Sequence, residues 1–294
     1  MAETGTTAGP VEGRRRGRAG YLLILPGALF LLLFFVLPFY SLIATSLYDP
    51  AGSDFRGYEM TYAVGNFVDV LQAYWRPLLR SLLYGGLATA FCLVLGYVLA
   101  YAIAFKSGRW KTLLLVLVIA PFFTSFLIRT LSWKLLLADD GFIVNTLQLL
   151  QVLGDDGRLL ATPVAVVAGL TYNFLPFMVL PLFASLDKID YRLIEASGDL
   201  YANPVRAFFK VTWPLSLPGV VSGTLLTFIP AVGDFINAEI LGNTNTRMIG
   251  SVIQSLFTDA NDYPAAGALS VILMVMILAL VLVYVRRAGT EELL

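Results

Sequence analysis

Two carboxylates, Asp234 and Glu239, lie within or beside a long apolar run, just after Pro230 and Gly233. An ionisable side chain in a bilayer costs about 2.5–3.5 kcal/mol on insertion scales, so it is kept to meet an ion, a substrate or a buried partner. Pro230 and Gly233 are residue types that open a helix and bare its carbonyls. That is tolerated at membrane depth only where the chain lines a cavity or is buried in protein. Each carboxylate has two readings. Asp234 lines a transport path or pairs with a basic residue of a partner; Glu239 lines the same path or sits at the outer interface. Enzymatic chemistry lacks its parts. The chain has no histidine and one cysteine, Cys92, set in an apolar run, so an intrachain disulfide is excluded and the commonest general base is missing. It also has no Gly-x-x-x-x-Gly-Lys-Ser/Thr loop, so it is not expected to hydrolyse ATP. No metal site, cofactor or nucleic-acid partner is expected.

The second concentration of polar residues is the stretch from Asp187 to Lys210, which continues through Pro214 to Pro218-Gly219. It fits two short helices, one from about Ile189 to Leu200 and one starting at Pro204 behind the capping residue Asn203. A short amphipathic helix on the membrane surface can dock in a groove of a soluble partner. The plainer alternative is a solvated loop.

The elements that carry these residues belong to a membrane. The chain has 294 residues, 58% hydrophobic and 14% charged, with mean hydropathy +0.78. Soluble domains carry about 25% charged residues. Uncharged runs long enough to cross a bilayer lie between Arg18 and Asp49, Arg80 and Lys106, Lys111 and Arg129, Arg158 and Asp187, Lys210 and Asp234, and Asp262 and Arg286. They predict an all-α protein with six crossings. The third run is barely long enough, so its helix is expected to continue past Arg129 towards Trp133. Gly141 to Gly154 is too short to cross and reads as an external amphipathic segment. Thirteen of the 20 Lys and Arg lie in the N-terminus, the 106–111 loop, the 187–210 loop and the C-terminal tail, which predicts that both termini are cytoplasmic. The opposite segments carry Asp49, Asp54, Glu59, Asp69, Asp139, Asp140, Asp155, Asp156, Asp259 and Asp262, an acidic outer face. Arg14 to Arg18 followed by Tyr21 to Ala44 reads as an uncleaved first crossing rather than a signal peptide. The expected organisation is a basic tail over 1–18 with a disordered start, a first crossing and external loop over 19–76, a five-helix core over 77–287 with the polar loop at about 187–213, and a tail over 288–294. Gly85-Gly86 and Gly96 are expected to allow close helix approach.

Glu195-Ala196-Ser197, Asp199-Leu200, Ala202 and the Pro214 to Gly219 segment resemble the EAA motif of type I ABC importer permeases. The resemblance implies that permease fold, with cytoplasmic coupling helices whose Glu195, Ala196, Ser197, Asp199, Leu200, Tyr201 and Ala202 sit in a cleft of an ATP-binding subunit. The family usually has glycine where this chain has Tyr201. A left-handed turn is costly for tyrosine, which moves the expected bend to Gly198 or Asn203 and leaves the ring to pack in the ATPase cleft. Pro121 to Arg129 with Trp133, Leu175 to Pro181, Ile189 to Tyr191, Ile229 to Phe235, Met248 to Gly250 and Asp262 to Pro264 resemble permeases of spermidine/putrescine importers. Iron, sulfate, thiamine and aminoalkylphosphonate permeases share much of this pattern and remain alternatives, as, further off, does a secondary carrier. The resemblance implies an inner-membrane complex with a second permease, a paralogue by preference, two ATP-binding subunits that use ATP and Mg, and an external binding protein. For a polyamine, Asp234, Glu239 and Asn173 would supply oxygen acceptors, and Trp133, Tyr172 and Phe174 aromatic faces; the plainer role for each aromatic is packing between helices or anchoring at the interface. Arg129 reads as a partner for a carboxylate.

Overall fold

A computed structural model describes residues 16–52, 57–154 and 157–288. Arg14 and Arg15, Asp54, Asp155, Asp156, the start of the N-terminal tail and residues 289–294 lie outside the described residues. Apolar runs with no water to bond their backbone form helices, in which every interior N–H meets a carbonyl of its own segment. The helices are α1 (Arg16–Leu31), α2 (Leu37–Ser46), α3 (Gly65–Phe105), α4 (Lys111–Ile119), α5 (Phe126–Leu137), α6 (Phe142–Leu149), α7 (Pro163–Leu186), α8 (Tyr191–Asp199), α9 (Pro204–Ala207), α10 (Trp213–Val232), α11 (Ile236–Leu241), α12 (Ile249–Thr258) and α13 (Tyr263–Ala288). A π-turn at Leu32–Val36 joins α1 to α2, and another at Phe208–Thr212 joins α9 to α10. The second short helix of the polar loop, α9, therefore runs on into the crossing Pro204–Val232.

Five helical runs among the described residues are long and apolar enough to cross a membrane: Ile24–Ser46, Gly65–Phe105, Pro163–Leu186, Pro204–Val232 and Tyr263–Arg287. The bent pair Gly108–Phe123 and Phe126–Leu149, whose axes differ by 94°, makes either a broken sixth crossing or a re-entrant loop. This corrects the expectation of one helix running past Arg129 to Trp133. The chain tightens into a 3-10 turn at Ala120–Phe123, and the Thr124 hydroxyl donates to the Pro121 carbonyl at 2.7 Å. Thr124 and Ser125 then take extended ψ values of 149° and 137°. A hydroxyl that bonds the preceding turn competes with the helix ladder, and Pro121 has no N–H to give it. Arg129 and Trp133 ride on the separate helix α5. The 141–154 segment holds α6, which buries Val144.

α7 is the central helix, packed against α3 and α10. Leu170, Met178, Val179 and Leu182 of α7 are fully buried with Ala88, Cys92 and Ala100 of α3. A Cβ at Gly85 would lie 2.7 Å from Val232 Cγ2 and 3.1 Å from the Val232 backbone nitrogen, and one at Gly96 3.0 Å from Met178 Cγ. Gly86, expected to share this role, faces open space. The far face of α3, including Leu83, Phe91, Val94 and Val98, is exposed and apolar, a surface suited to lipid. A second cluster joins Val70 and Leu78 of α3 to Ile249, Val252 and Leu256 of α12 and to Leu269 of α13.

Gly85→Leu should lower the stability of the detergent-purified protein by about 1–3 kcal/mol, because the new atoms meet backbone that cannot move aside. Gly86→Leu should be close to neutral. Thermal unfolding of the two variants checks the contrast.

Candidate functional site

The second break in the membrane-spanning helices lies between α10 and α11. α10 ends at Val232, and Gly233 and Asp234 carry the chain to α11. The carboxylate of Asp234 caps α11: Oδ1 accepts the Asn237 backbone N–H at 2.8 Å and Oδ2 accepts Asn237 Nδ2 at 3.2 Å. Asn237 Oδ1 in turn accepts Asn173 Nδ2 at 3.0 Å and lies 3.3 Å from the Thr130 hydroxyl. Asn173 Nδ2 also reaches Thr130 Oγ1 at 3.2 Å. Asp234, Asn237, Asn173 and Thr130 are all buried. One polar cluster thus ties the helix after the first break, α5, to the helix after the second, α11, through α7. No ion pair joins Asp234 to a Lys or Arg among the described residues, and Asn173 Oδ1 has no hydrogen-bond partner. Gly250 lets α12 pass against the second break, since a Cβ there would lie 2.5 Å from the Gly233 carbonyl oxygen.

The structure separates the other candidate residues. Asn173 joins the cluster, but its neighbours Tyr172 and Phe174 turn elsewhere, because successive helical residues point about 100° apart. Tyr172 packs on Trp133 with centroids 5.4 Å apart, and both line an apolar cavity of about 610 Å³ with Tyr84, Phe91 and Val167. Phe174 is in the core beside Phe126 and Phe177. Glu239 is exposed and faces a different cavity of about 310 Å³, lined also by Phe235, Arg247, Gln254, Ser255 and Asp259. Arg129, expected to meet a carboxylate, meets none among the described residues. It is buried, with its Cζ 5.2 Å from the Phe122 ring and 5.5 Å from the Phe126 ring, and Nε and Nη1 have no partner. Thr130 and Asn237 are not among the residues singled out from sequence, since single uncharged polar residues in apolar runs look ordinary. The usable signal is Asn237 three residues after Asp234, the spacing at which an Asp side chain caps a backbone N–H.

On the polar loop between α7 and α10, the Asp190 carboxylate caps α8 by accepting the Arg192 N–H at 3.0 Å, and Asn203 caps α9 by accepting the Arg206 N–H at 2.8 Å. The bend between them falls at Tyr201, which takes φ +60°. Gly198 stays within α8, and Asn203 has φ −69°; neither takes over the turn as expected. The physical reason is the hydrogen bonding at the end of α8. The Tyr201 N–H bonds the Gly198 carbonyl at 2.9 Å and the Ala202 N–H bonds the Ser197 carbonyl at 3.0 Å. This is the Schellman pattern, which needs a left-handed residue at the position Tyr201 occupies. Leu200 and Tyr201 are 81% and 97% exposed, so two large side chains stand out beside Glu195 and Asp199.

A chain of membrane-crossing helices with two internal breaks and a capped polar loop has the fold of an ABC importer permease. A chain of a bacterial ABC transporter involved in the import of the acidic polysaccharide alginate superposes with TM-score 0.74 at 18% identity, covering 95% of this chain and 97% of that one. The protein belongs to the family described as the binding-protein-dependent transport system inner membrane component, which matches residues 5–288. It is similar to the spermidine/putrescine transport system permease protein PotB of Haemophilus influenzae, 37% identical over 257 residues that cover 87% of this chain and 89% of that protein. It is equally similar to PotB of Escherichia coli, 37% over 259 residues covering 88% and 94%. As a permease it is the non-catalytic membrane component of its transporter.

Two outcomes are expected. Asn237→Leu removes one hydrogen-bond partner each from Asp234, Asn173 and Thr130, and each lost bond is worth about 0.5–1.5 kcal/mol; a lowered thermal unfolding midpoint of the purified protein checks this. Tyr201→Gly removes a left-handed penalty of about 1–2 kcal/mol. Hydrogen exchange at the amides of Tyr201 and Ala202 should slow in that variant.

Proposed function

We propose that this protein is a permease subunit of a polyamine importer and moves spermidine or putrescine. The observation that carries this is the 37% identity to PotB proteins along most of both chains. The chemistry agrees. Polyamines are flexible chains of ammonium groups, which favour carboxylates and carbonyl oxygens. Glu239 and Asp259 bring two carboxylates to one cavity, and neither is paired with Arg247. Asp234 and Asn173 offer acceptors deeper in the chain, and Asp234 has no cationic partner among the described residues. In this reading Glu239 receives the substrate, Asp234 and Asn173 line the path beyond it, and Trp133, Tyr172 and Phe174 hold the surrounding helices. Arg247 keeps the site from binding cations too tightly to release them.

The partners in this reading are a second permease, a paralogue, two ATP-binding subunits that use ATP and Mg, and an external binding protein. Both termini and the 187–213 loop are cytoplasmic, since the Lys and Arg residues gather on that side. Glu195, Ala196, Ser197, Asp199, Leu200, Tyr201 and Ala202 form the contact with an ATP-binding subunit. With Tyr201 standing clear of its own chain, its ring enters the partner's cleft.

The test is uptake of radiolabelled spermidine by vesicles carrying the full complex. Excess unlabelled spermidine or putrescine should abolish the signal. Glu239→Gln and Asp234→Asn should each cut uptake by about tenfold or more, the worth of a charge-assisted hydrogen bond, while assembly is kept. Uptake of no labelled polyamine by the assembled wild-type complex would reject the substrate, and full uptake by either variant would remove that residue from the path.

A further inference from the structure

Lys111 and Asp187 form an ion pair on the cytoplasmic side, and each stands at the wrong end of its own helix. Lys111 opens α4, where the helix dipole is positive, and Asp187 closes α7, where it is negative. Alone, each charge would be unfavourable there; facing one another, both are satisfied. Lys111 Nζ also lies 5.3 Å from the centre of the Phe183 ring, one turn back along α7. The pair joins two elements with different freedom. Asp187 roots the cytoplasmic loop rigidly: the N–H groups of Asp187, Lys188 and Ile189 all bond carbonyls of α7 between Phe183 and Leu186, and the next residue, Asp190, caps α8. α4 is held more loosely: none of its residues is fully buried, and it meets the core through the partly buried Leu114, Leu115 and Val118. Its next polar anchor lies beyond the break at Thr124 and Ser125, where Thr130 joins the buried cluster with Asn173 and Asn237.

We propose that Lys111 is a positioning residue for energy coupling: through Asp187 it fastens the start of α4 to the root of α8, so that displacement of the cytoplasmic loop swings α4 about its break. The inference rests on the reading that α8 docks on an ATP-binding subunit. A short helix held only through the partly buried Leu114, Leu115 and Val118 resists such a swing less than the deeply buried α7 does, and the 94° bend supplies the pivot. The motion is thereby delivered to the segment that leads into the Thr130–Asn237 contact.

The experiment is hydrogen exchange on the complete complex in lipid, with and without ATP trapped in the ATP-binding subunits, read separately over α8 and over residues 108–119. In the wild type both segments should change on trapping. In Lys111→Glu the change at α8 should persist while that at 108–119 falls by about threefold or more. The charge-exchanged double variant Lys111→Glu/Asp187→Lys should restore it, as should Lys111→Arg by conserving the charge. A general loss of structure would not be repaired by exchanging the charges. If Lys111→Glu does not assemble, the double variant still decides: recovery of the 108–119 change supports the pair, and its absence overturns it. An unchanged 108–119 response in Lys111→Glu also overturns the inference. If α8 is neither protected by the ATP-binding subunits nor altered by ATP in the wild type, the docking reading itself fails and this inference falls with it; a normal α8 response with no 108–119 response rejects the inference alone.

Discussion

A backbone N–H or carbonyl inside hydrocarbon has no water to turn to, and leaving one unpaired costs several kcal/mol. The rest of this structure answers to that constraint. It makes helices of the apolar runs and makes each interruption expensive. Besides a kink at Tyr74 within α3, two interruptions among the described residues end one helix and begin another, at Thr124–Ser125 and at Gly233–Asp234, and both are repaired locally. Thr124 returns its N–H and its hydroxyl to the Pro121 carbonyl, and the Arg129 N–H bonds the Ser125 carbonyl. At the second break Asp234 caps α11, while the Phe235 carbonyl accepts both the Glu239 N–H and the Ser251 hydroxyl. The repairs then interlock through Asn237, Asn173 and Thr130. A network of this kind is stable only when complete, which makes its relative positions specific: α5, α7 and α11 must sit where their polar atoms meet.

That arrangement suits a transporter. A helix with a break can turn about it without unwinding, and the repaired break keeps the ends aligned. The carboxylate that caps α11 is also one that meets no Lys or Arg among the described residues. Glu239 is on the helix that Asp234 caps, three residues past Ile236, yet opens to a separate cavity. One carboxylate is thus buried ahead of α11 and the other exposed upon it.

The polar loop between α7 and α10 is constrained differently. Its geometry is set by capping: Asp190 and Asn203 start the two helices, and the Schellman bonds at Ser197 and Gly198 end the first. Tyrosine in the left-handed position carries strain of about 1–2 kcal/mol. The strain is confined to one residue, and two hydrogen bonds oppose it. In exchange a large ring projects from the bend at the point where glycine would present only backbone.

Much of this was legible in the residues themselves. Uncharged runs located the crossings, because a charge in hydrocarbon is costly wherever it falls in the chain. The caps Asn203 and Pro204 located the start of α9, because capping is a contact over three residues. The motif around Glu195 pointed to the permease family that the comparisons bear out. What the residues could not decide depended on contacts made across long distances in the chain. Tyr201 alone argued against a left-handed bend, and only the hydrogen bonds ending α8 placed the bend there. Arg129 and Trp133 looked like the continuation of a helix, until the Thr124 turn set them on another. Tyr172, Asn173 and Phe174 are adjacent in sequence but face an apolar cavity, a polar cluster and the core, since a helix sends successive side chains in different directions and only packing says what each one meets. Asn237 became a central residue for the same reason: its partners Asn173 and Thr130 are 64 and 107 residues away, and nothing local in the chain brings them together.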